Sequence, residues 1–422
     1  MNEASMERTL LVTVKLSFDK STWDVLEQER ELKALAMAAG AEVVAGEICQ
    51  RASLTADFYI GDGKANEIAG IVREKQIELV IFNNDLSATQ LRNLENLVCA
   101  RVIDRTQLIL DIFARRARSP EGNAQVELAQ LEYLLPRLAG RGVELSRLGG
   151  GIGTRGPGEQ KLEVDRRRIR DRIAFLKRDL VSLKSRRNAL RQRRQEHSLP
   201  TVALVGYTSA GKSTLFNTLS GARQAVSRGL FTTLDPLVRA IALSNNQKVL
   251  ISDTVGFIKK LPHHLVEAFK ATLDEVTQAD LLLHVLDTAS TELAGQYDSV
   301  CDVLRQLNAE QKNNILVFNK IDLIEDKAFL ERLARDYPES FFISALAGEN
   351  IEALLCAIEH KLSFYFSEIT LILPSGRMDL VDLIYSEGQV KRIDYLSDGV
   401  HVEAVLPFVL AQKLKAYACP VK

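Results

Sequence analysis

The residues best suited to chemistry lie at positions 206–213, where glycines, a lysine and a serine have the spacing of a phosphate-binding loop. The stretch reads Gly-Tyr-Thr-Ser-Ala-Gly-Lys-Ser and matches Gly-x-x-x-x-Gly-Lys-Ser/Thr. In such a loop backbone N–H groups point at phosphates, the lysine reaches the β- and γ-phosphates, and the hydroxyl binds Mg²⁺. The expected contacts are Gly206, Tyr207, Thr208, Ser209, Ala210, Gly211, Lys212, Ser213 and Thr214.

The neighbouring segments supply the strand and the helix that such a loop needs. Leu199–Val205 is apolar and β-branched, as expected of a buried parallel strand, and Ser213–Leu219 favours a helix. The phosphates would then lie at a helix N-terminus, which favours anions. A coincidental glycine-rich turn, the alternative, does not account for this order of strand, loop and helix.

Two further segments would complete a magnesium and γ-phosphate site. Asp253 follows the strand-like Val249–Ile251, at the end where open α/β sheets bind ligands. Its carboxylate can hold Mg²⁺ through water, the Gly256 amide can face a γ-phosphate, and a threonine in the loop 231–235 can close the metal shell only while that phosphate is present. The candidates are Phe231, Thr232, Thr233, Leu234, Asp235, Asp253, Thr254, Val255 and Gly256.

Base recognition is predicted from the segment 315–322, Ile-Leu-Val-Phe-Asn-Lys-Ile-Asp, in which a strand ends at Asn319 and Asp322. One carboxylate can accept both the N1–H and the 2-amino group of guanine, which adenine does not offer together, so a carboxylate here discriminates strongly between the bases. A second loop after the strand-like residues 341–343 can contact the base oxygen through its backbone. The expected base contacts are Asn319, Lys320, Ile321, Asp322, Ser344, Ala345 and Leu346.

With these motifs in order, the chain resembles the translational GTPases and, more closely, the HflX family of ribosome-associated GTPases. The closer match rests on the glycine-rich and charged segment 149–167, on Phe231–Pro236 and on Asp253–Phe257. The resemblance implies that Ser213 and Thr233 bind Mg²⁺. It also implies that Phe257 stands where Ras-type enzymes place a water-orienting glutamine.

Two consequences follow from that resemblance. Phe257 cannot hydrogen-bond a water, so we expect slow GTP hydrolysis that rises when a partner orders the loops, and no residue is assigned as a catalytic base. Family members usually carry Asn at the position of Ser209, and in related GTPases that Asn helps to bind an activating potassium ion. The resemblance therefore does not carry potassium activation over to this chain.

The implied function is a GTP- and GDP-binding, Mg²⁺-dependent switch on the ribosome, chiefly on the large subunit and its RNA, which splits or rescues stalled ribosomes. The alternative is a regulatory GTPase whose partner is a protein or another RNA. We expect a monomeric, cytoplasmic protein without integral membrane association, since no eighteen-residue apolar run or signal-peptide core is present. The charge is balanced, with 54 Lys and Arg against 55 Asp and Glu, and the five scattered cysteines suggest reduced core thiols.

The predicted fold class is α/β: a P-loop GTPase domain, an N-terminal α/β domain with a long coiled-coil-like helical segment, and a small C-terminal α+β module. The predicted divisions are 1–118 for the N-terminal α/β domain, 119–158 for a glycine-rich linker, 159–198 for a basic helix, 199–366 for the GTPase domain and 367–422 for the C-terminal module. Strands are expected at Leu10–Leu16, Ala41–Val44, Asp57–Ile60 and Glu78–Phe82 of the first domain.

Three features have two interpretations each. Gly61–Lys64 is more simply a tight turn into a helix than a second phosphate site, although HflX-like proteins have been associated with an ATP-dependent RNA activity in this region. The glycine-rich stretch Gly149–Gly158, with Arg155, is either a flexible linker or a loop ordered by RNA. The segment 159–196 has 14 Lys and Arg against 6 Asp and Glu, and is either a solvated helix or an RNA-binding face. Its leucines and isoleucines repeat with an a/d spacing, so it pairs with an antiparallel helix or docks on the first domain.

Overall fold

The computed structural model describes residues 6–17, 24–138, 157–196, 199–221, 230, 231, 233, 235–243, 247–259 and 270–418. In the long helix at 157–196, only the side chains of 163–186 are described. The chain forms two compact units. The first comprises residues 1–183 with 227–235 and 260–270, and the second comprises 184–226, 236–259 and 271–422.

The first unit contains a four-stranded, all-parallel sheet in the order β2-β1-β3-β4. Its strands are β1 (Arg8–Leu16), β2 (Glu42–Arg51), β3 (Leu79–Phe82) and β4 (Arg101–Asp104). Its helices are α1 (Val25–Ala38), α2 (Asp62–Glu74), α3 (Ala88–Val98), α4 (Arg105–Arg116) and α5 (Pro120–Arg137), and a further helix, α6 (Pro157–Glu196), contributes its residues 157–183. Because helices cover both faces of a parallel sheet, successive residues of β1 such as Leu10, Leu11 and Val12 are all buried.

Two of the sequence predictions for this unit are wrong. Residues 57–60 are not a strand, because Thr55 and Tyr59 pair across a tight turn instead. The first part of the predicted linker is the helix α5. Ser119 is its N-cap, and the Ser119 hydroxyl accepts a hydrogen bond from the Gly122 amide. Pro120 occupies the first helical position. Proline there indicates the start of a helix, since its missing N–H would have no partner in any case.

The basic helix α6 packs against α5, which lies in the predicted linker 119–158 and not in the predicted first domain 1–118. Leu176 is buried between them with Ala124 and Leu128. Ion pairs join Glu127 to Arg172 and Glu132 to Lys177. Since five residues separate both pairs on each helix, α5 and α6 run parallel, and the antiparallel prediction is wrong. The glycine-rich residues 149–156 lie outside the described residues.

The second unit contains a six-stranded sheet in the order β10-β9-β8-β5-β7-β6, in which only β6 is antiparallel to its neighbour. Its strands are β5 (Thr201–Gly206), β6 (Leu237–Ala242), β7 (Lys248–Asp253), β8 (Leu281–Asp287), β9 (Asn314–Asn319) and β10 (Phe341–Ile343). Its helices are α7 (Lys212–Ser220), α8 (Lys270–Gln278), α9 (Leu293–Gln306), α10 (Lys327–Asp336) and α11 (Ile351–Leu362).

The same unit ends in a three-stranded antiparallel sheet ordered β11-β13-β12, with two helices. These elements are β11 (Phe366–Leu373), α12 (Met378–Glu387), β12 (Gln389–Leu396), β13 (Gly399–Pro407) and α13 (Phe408–Lys413). They confirm the small C-terminal α+β module predicted from the sequence. Phe366 also packs into the core of the six-stranded sheet, and the Tyr365 hydroxyl donates to Asp280 at 2.6 Å.

The predicted burial of the cysteines is only partly correct. Of the described cysteines only Cys49 is buried, whereas Cys99 and Cys356 are exposed, so the expectation of core thiols is wrong for those two. Among the helices that the structure describes, none is long and apolar enough to span a lipid bilayer.

Candidate functional site

The glycine-rich loop follows β5 directly and leads into α7, as predicted. Gly206 has φ +155°, and a Cβ built there would lie 2.2 Å from the Val285 carbonyl oxygen of β8, so no larger residue fits. Gly211 has φ +93° and precedes the first helical residue. These two glycines let the loop turn sharply between the sheet and a helix N-terminus, where its backbone amides can face phosphates.

The Lys212 side chain folds back over this loop. Its Nζ donates to the carbonyl oxygens of Gly206 at 3.0 Å and Tyr207 at 2.8 Å, and only 6% of the residue is exposed. Burial lowers the pKa of Lys212 to about 8, and the nearby Asp253 carboxylate partly opposes that shift. An anionic phosphate beside this ammonium group would stabilise its charged form.

The proposed magnesium side of the site brings a hydroxyl and a carboxylate together. The Ser213 Oγ donates to Asp253 Oδ2 at 2.6 Å, and Asp253 is fully buried. Thr254 is also buried and donates through Oγ1 to the Leu204 carbonyl, which fixes the turn after β7. Oxygen donors of this kind at the end of a strand fit a magnesium ion, which prefers hard oxygen ligands and retains several waters.

The chain after β7 lies directly against the phosphate loop. A Cβ on Gly256 would lie 2.7 Å from Thr208 Cγ2 and 2.9 Å from Thr208 Cα. The next residue, Phe257, is 1% exposed, donates its amide to the Gly206 carbonyl at 3.1 Å and accepts the Thr208 amide at 2.8 Å. Phe257, which the resemblance places at the water-orienting position, is therefore buried and bonded to the phosphate loop.

Asn319 links the segments that the sequence predicts for base recognition to the phosphate loop. Its Nδ2 donates to the Ala210 carbonyl at 2.9 Å, and its Oδ1 accepts the Ala345 amide at 2.9 Å. One buried amide thus joins the phosphate loop to the loop after β10. The structure brings together three of the segments that the sequence indicated, and Thr218 of α7 adds a bond to the Ala345 carbonyl at 2.7 Å.

The rest of the base loop shows contacts that the sequence did not indicate. Lys320 has φ +69° and pairs through Nζ with Asp287 at 2.6 Å, and Thr288 donates to the Asn319 carbonyl through its amide and its hydroxyl. Asp287 ends β8 beside β9, so its position at a strand end was the available signal. Asp322 lies exposed in the single 3₁₀ turn Ile321–Leu323.

On the other side of the base loop, Ser344 is buried and accepts the Ala347 amide at 3.0 Å. Leu346 is 82% exposed, so its apolar side chain is accessible.

Comparison with known proteins accounts for almost the whole chain. Four family models match in succession: "GTP-binding GTPase N-terminal" at 27–114, "GTP-binding GTPase Middle Region" at 116–194, "50S ribosome-binding GTPase" at 201–320 and "HflX C-terminal domain" at 329–415.

Three relatives named GTPase HflX match this chain over nearly their full lengths. The protein of Caldanaerobacter subterraneus is 45% identical over 97% of this chain and 94% of its own. The protein of Lacrimispora saccharolytica is 43% identical over 97% of this chain and 95% of its own. The protein of Escherichia coli is 42% identical over 96% of this chain and 94% of its own. The chain belongs to the HflX family of GTPases. The protein is therefore a GTPase that binds guanine nucleotides.

The loop that the HflX resemblance assigns to magnesium, 231–235, lies in the first unit. There Phe231 has φ +56°, is buried and meets the Phe113 ring edge-on at 4.6 Å between centroids. Asp235 Oδ2 accepts the backbone amides of Arg118 and Ser119. Thr233 is partly buried, and Thr232 and Leu234 lie outside the described residues.

The second glycine-rich turn, at 61–64, has the surroundings of a structural turn. Gly61 caps α2, and Lys64 pairs with Glu47 at 2.9 Å and with Glu67 at 2.7 Å. Although burial alone would lower it, the hydrogen bonds to Glu67 and Glu47 raise the pKa of Lys64. Two carboxylates at the lysine disfavour a phosphate there, which supports the simpler interpretation of this turn.

Proposed function

We propose that this GTPase binds the ribosome, chiefly its large subunit, and splits or rescues stalled ribosomes under the control of its nucleotide. The match of residues 201–320 to a family described as ribosome-binding supports this proposal. The observation that carries it is the surplus of positive charge on α6. Between residues 163 and 186, where side chains are described, α6 has nine Lys and Arg against four Asp and Glu.

Part of this charge is used within the protein, and part faces outward. Arg172 and Lys177 pair with carboxylates of α5. Arg167, Arg178 and Arg186 are exposed, and no described carboxylate lies within ion-pairing distance of them. Guanidinium groups in this state suit the phosphates of RNA better than they suit another protein's apolar surface.

We further propose Ser213 and Thr233 as the magnesium ligands of the GTP-bound form, with Asp253 holding the ion through water. Magnesium would neutralise charge that develops on the phosphates during hydrolysis. Lys212 stabilises the same charge, and the Gly256 amide faces the γ-phosphate. Because the buried Phe257 side chain cannot orient water, hydrolysis by the isolated protein is slow and rises when the ribosome orders the loops.

Cosedimentation with separated ribosomal subunits tests this function. Binding to the large subunit is expected with a non-hydrolysable GTP analogue and weakened with GDP, and Lys212→Ala should remove the difference because it cannot hold the phosphates. Equal binding in the two nucleotide states would contradict a nucleotide-controlled ribosome factor. Absence of subunit binding would favour the alternative partner, a protein or another RNA.

A salt series on a charge variant tests the role of α6. Replacing Arg167, Arg178 and Arg186 with Gln should weaken binding. It should also make the fall of log affinity with log salt less steep, by about one slope unit for each RNA phosphate that the variant no longer neutralises. The matched control removes three exposed, carboxylate-paired arginines of the second unit, Arg305, Arg332 and Arg377, and should leave the slope unchanged. An unaltered slope in the α6 variant would exclude this face.

A further inference from the structure

We infer that Tyr207 is a positioning residue that fastens the segment 257–259 to the phosphate loop and thereby sets the preference of the site between GDP and GTP. Tyr207 directly follows the first glycine of the loop and is only 3% exposed. Its hydroxyl oxygen accepts the backbone amide of Lys259 at 2.9 Å. A side chain of the phosphate loop thus holds the main chain beyond Gly256. The inference uses the nucleotide site alone and does not depend on the proposed ribosomal role.

The hydroxyl completes a short ladder between the two segments. Residues 207 and 257 form an isolated parallel bridge, in which Phe257 donates to Gly206 and Thr208 donates to Phe257. The Tyr207 hydroxyl extends this pairing by two residues, from Phe257 to Lys259. Backbone and side chain together hold three consecutive residues against the loop.

A γ-phosphate would compete with this ladder for the same segment. In the proposed GTP-bound form the Gly256 amide turns toward the phosphate, yet Gly256 is packed so closely on Thr208 that even a Cβ would lie 2.9 Å from its Cα. Gly256 therefore cannot reorient against Thr208 while Phe257 and Lys259 keep all their bonds. GDP has no γ-phosphate and leaves the ladder intact. The hydrogen bond to the Tyr207 hydroxyl is accordingly lost when GTP binds and kept when GDP binds, so it lowers the affinity for GTP and not for GDP.

The size of the effect follows from the strength of one hydrogen bond. A ligand shifts a conformational equilibrium only by its differential affinity for the two states, so a bond present in one state changes the affinity ratio of two ligands directly. The net free energy of one hydrogen bond changes such an affinity ratio by about three- to tenfold. Removing this bond should raise the affinity for GTP relative to GDP by that factor.

The test compares Tyr207→Phe with Tyr365→Phe in the full chain, without ribosomes and with magnesium present. Each substitution removes one hydroxyl, and Tyr365 donates to Asp280 in the same unit. Dissociation constants for GDP and for a non-hydrolysable GTP analogue are measured by calorimetry. In Tyr207→Phe the preference for the analogue should rise about three- to tenfold with little change for GDP, whereas Tyr365→Phe should retain the wild-type ratio. An unchanged ratio, or equal weakening of both nucleotides, would overturn the inference.

Hydrogen exchange on the unmodified protein gives a second test that needs no variant. The Lys259 amide should exchange slowly with GDP bound, since the hydroxyl protects it, and faster with the GTP analogue. Equal protection in both states would show that the bond survives GTP binding, and the inference would fall. A protein that bound neither nucleotide would instead contradict the nucleotide site itself, so the two failures are distinguishable.

Discussion

The carboxylate of Asp235 caps the helix that Ser119 begins. Its Oδ2 accepts the Arg118 amide at 2.9 Å and the Ser119 amide at 2.8 Å, and its Oδ1 accepts the Ser119 hydroxyl. That hydroxyl in turn accepts the Gly122 amide at 2.9 Å. A negative charge at the first turn of α5 satisfies amides that have no partner within the helix.

The first prediction is that Asp235→Ala destabilises the start of α5. The substitution removes the acceptor of two backbone amides and one hydroxyl, at a cost of about 1–3 kcal/mol. Hydrogen exchange at the amides of Arg118, Ser119 and Gly122 should accelerate, and the midpoint temperature of thermal unfolding should fall. Asp235→Asn keeps an acceptor oxygen and should lose less, and Asp382→Ala, at an exposed position of α12, should have no effect. Unchanged protection in Asp235→Ala would contradict the capping role.

The second prediction concerns base choice at Asp322. A carboxylate accepts two N–H groups from guanine, whereas an amide offers one acceptor and one donor and therefore matches xanthine, which carries a carbonyl in place of the 2-amino group. Asp322→Asn should weaken GTP by about tenfold to a hundredfold and create binding of XTP. Competition between labelled nucleotides measures both. The control is Asp326→Asn, four residues along, where the carboxylate instead caps α10. Retained preference for GTP over XTP would exclude Asp322 as the base-reading residue.

The elements around this site were predictable because strand and helix periodicity coincide there with fixed spacings of Gly, Lys, Asn and Asp. Local sequence was less informative elsewhere. The predicted linker 119–158 contains the helix that begins at Pro120, and the turn at 57–60 has the apolar residues of a strand. The contacts of Asp235 with Ser119 and of Lys320 with Asp287 could not be predicted, because each joins segments that only the tertiary fold brings together.

The third prediction is that Gly211→Ala damages nucleotide binding through Asn319. A Cβ at Gly211 would lie 2.2 Å from Asn319 Nδ2, which must move and release the Ala210 carbonyl. Because the base end is common to GTP and GDP, both affinities should fall by a similar factor, on the order of tenfold for a displaced buried hydrogen bond. Their ratio should stay constant, unlike that of Tyr207→Phe.

Gly221→Ala is the matched control for this variant. Gly221 also has positive φ, +62°, at the other end of α7, but a Cβ there meets no atom of the described residues within 4 Å. It therefore introduces similar backbone strain, about 1–2 kcal/mol, without touching the base loop. Equal nucleotide affinity in the two variants would show that backbone strain, and not the displaced Asn319, causes the defect.

The fourth prediction is a pH dependence of stability that originates at His284. This residue lies in β8 and stacks on Tyr297 at 5.1 Å between ring centroids, and no described residue hydrogen-bonds its Nε2. Burial, together with a smaller contribution from the charge of Lys212, lowers the pKa of His284 to about 3.

Between pH 6.5 and about 3 the unfolded chain therefore binds a proton at this imidazole that the folded chain does not. Stability should consequently fall as the pH is lowered through this range, by up to about 1.4 kcal/mol per pH unit from this group. His284→Leu removes the titration, so urea unfolding at pH 7 and pH 5 should show a smaller loss on acidification than in the wild type. His360→Leu, at an exposed position of α11, should retain the wild-type loss. Identical acid sensitivity in His284→Leu and the wild type would mean that the imidazole is not held neutral in the folded protein.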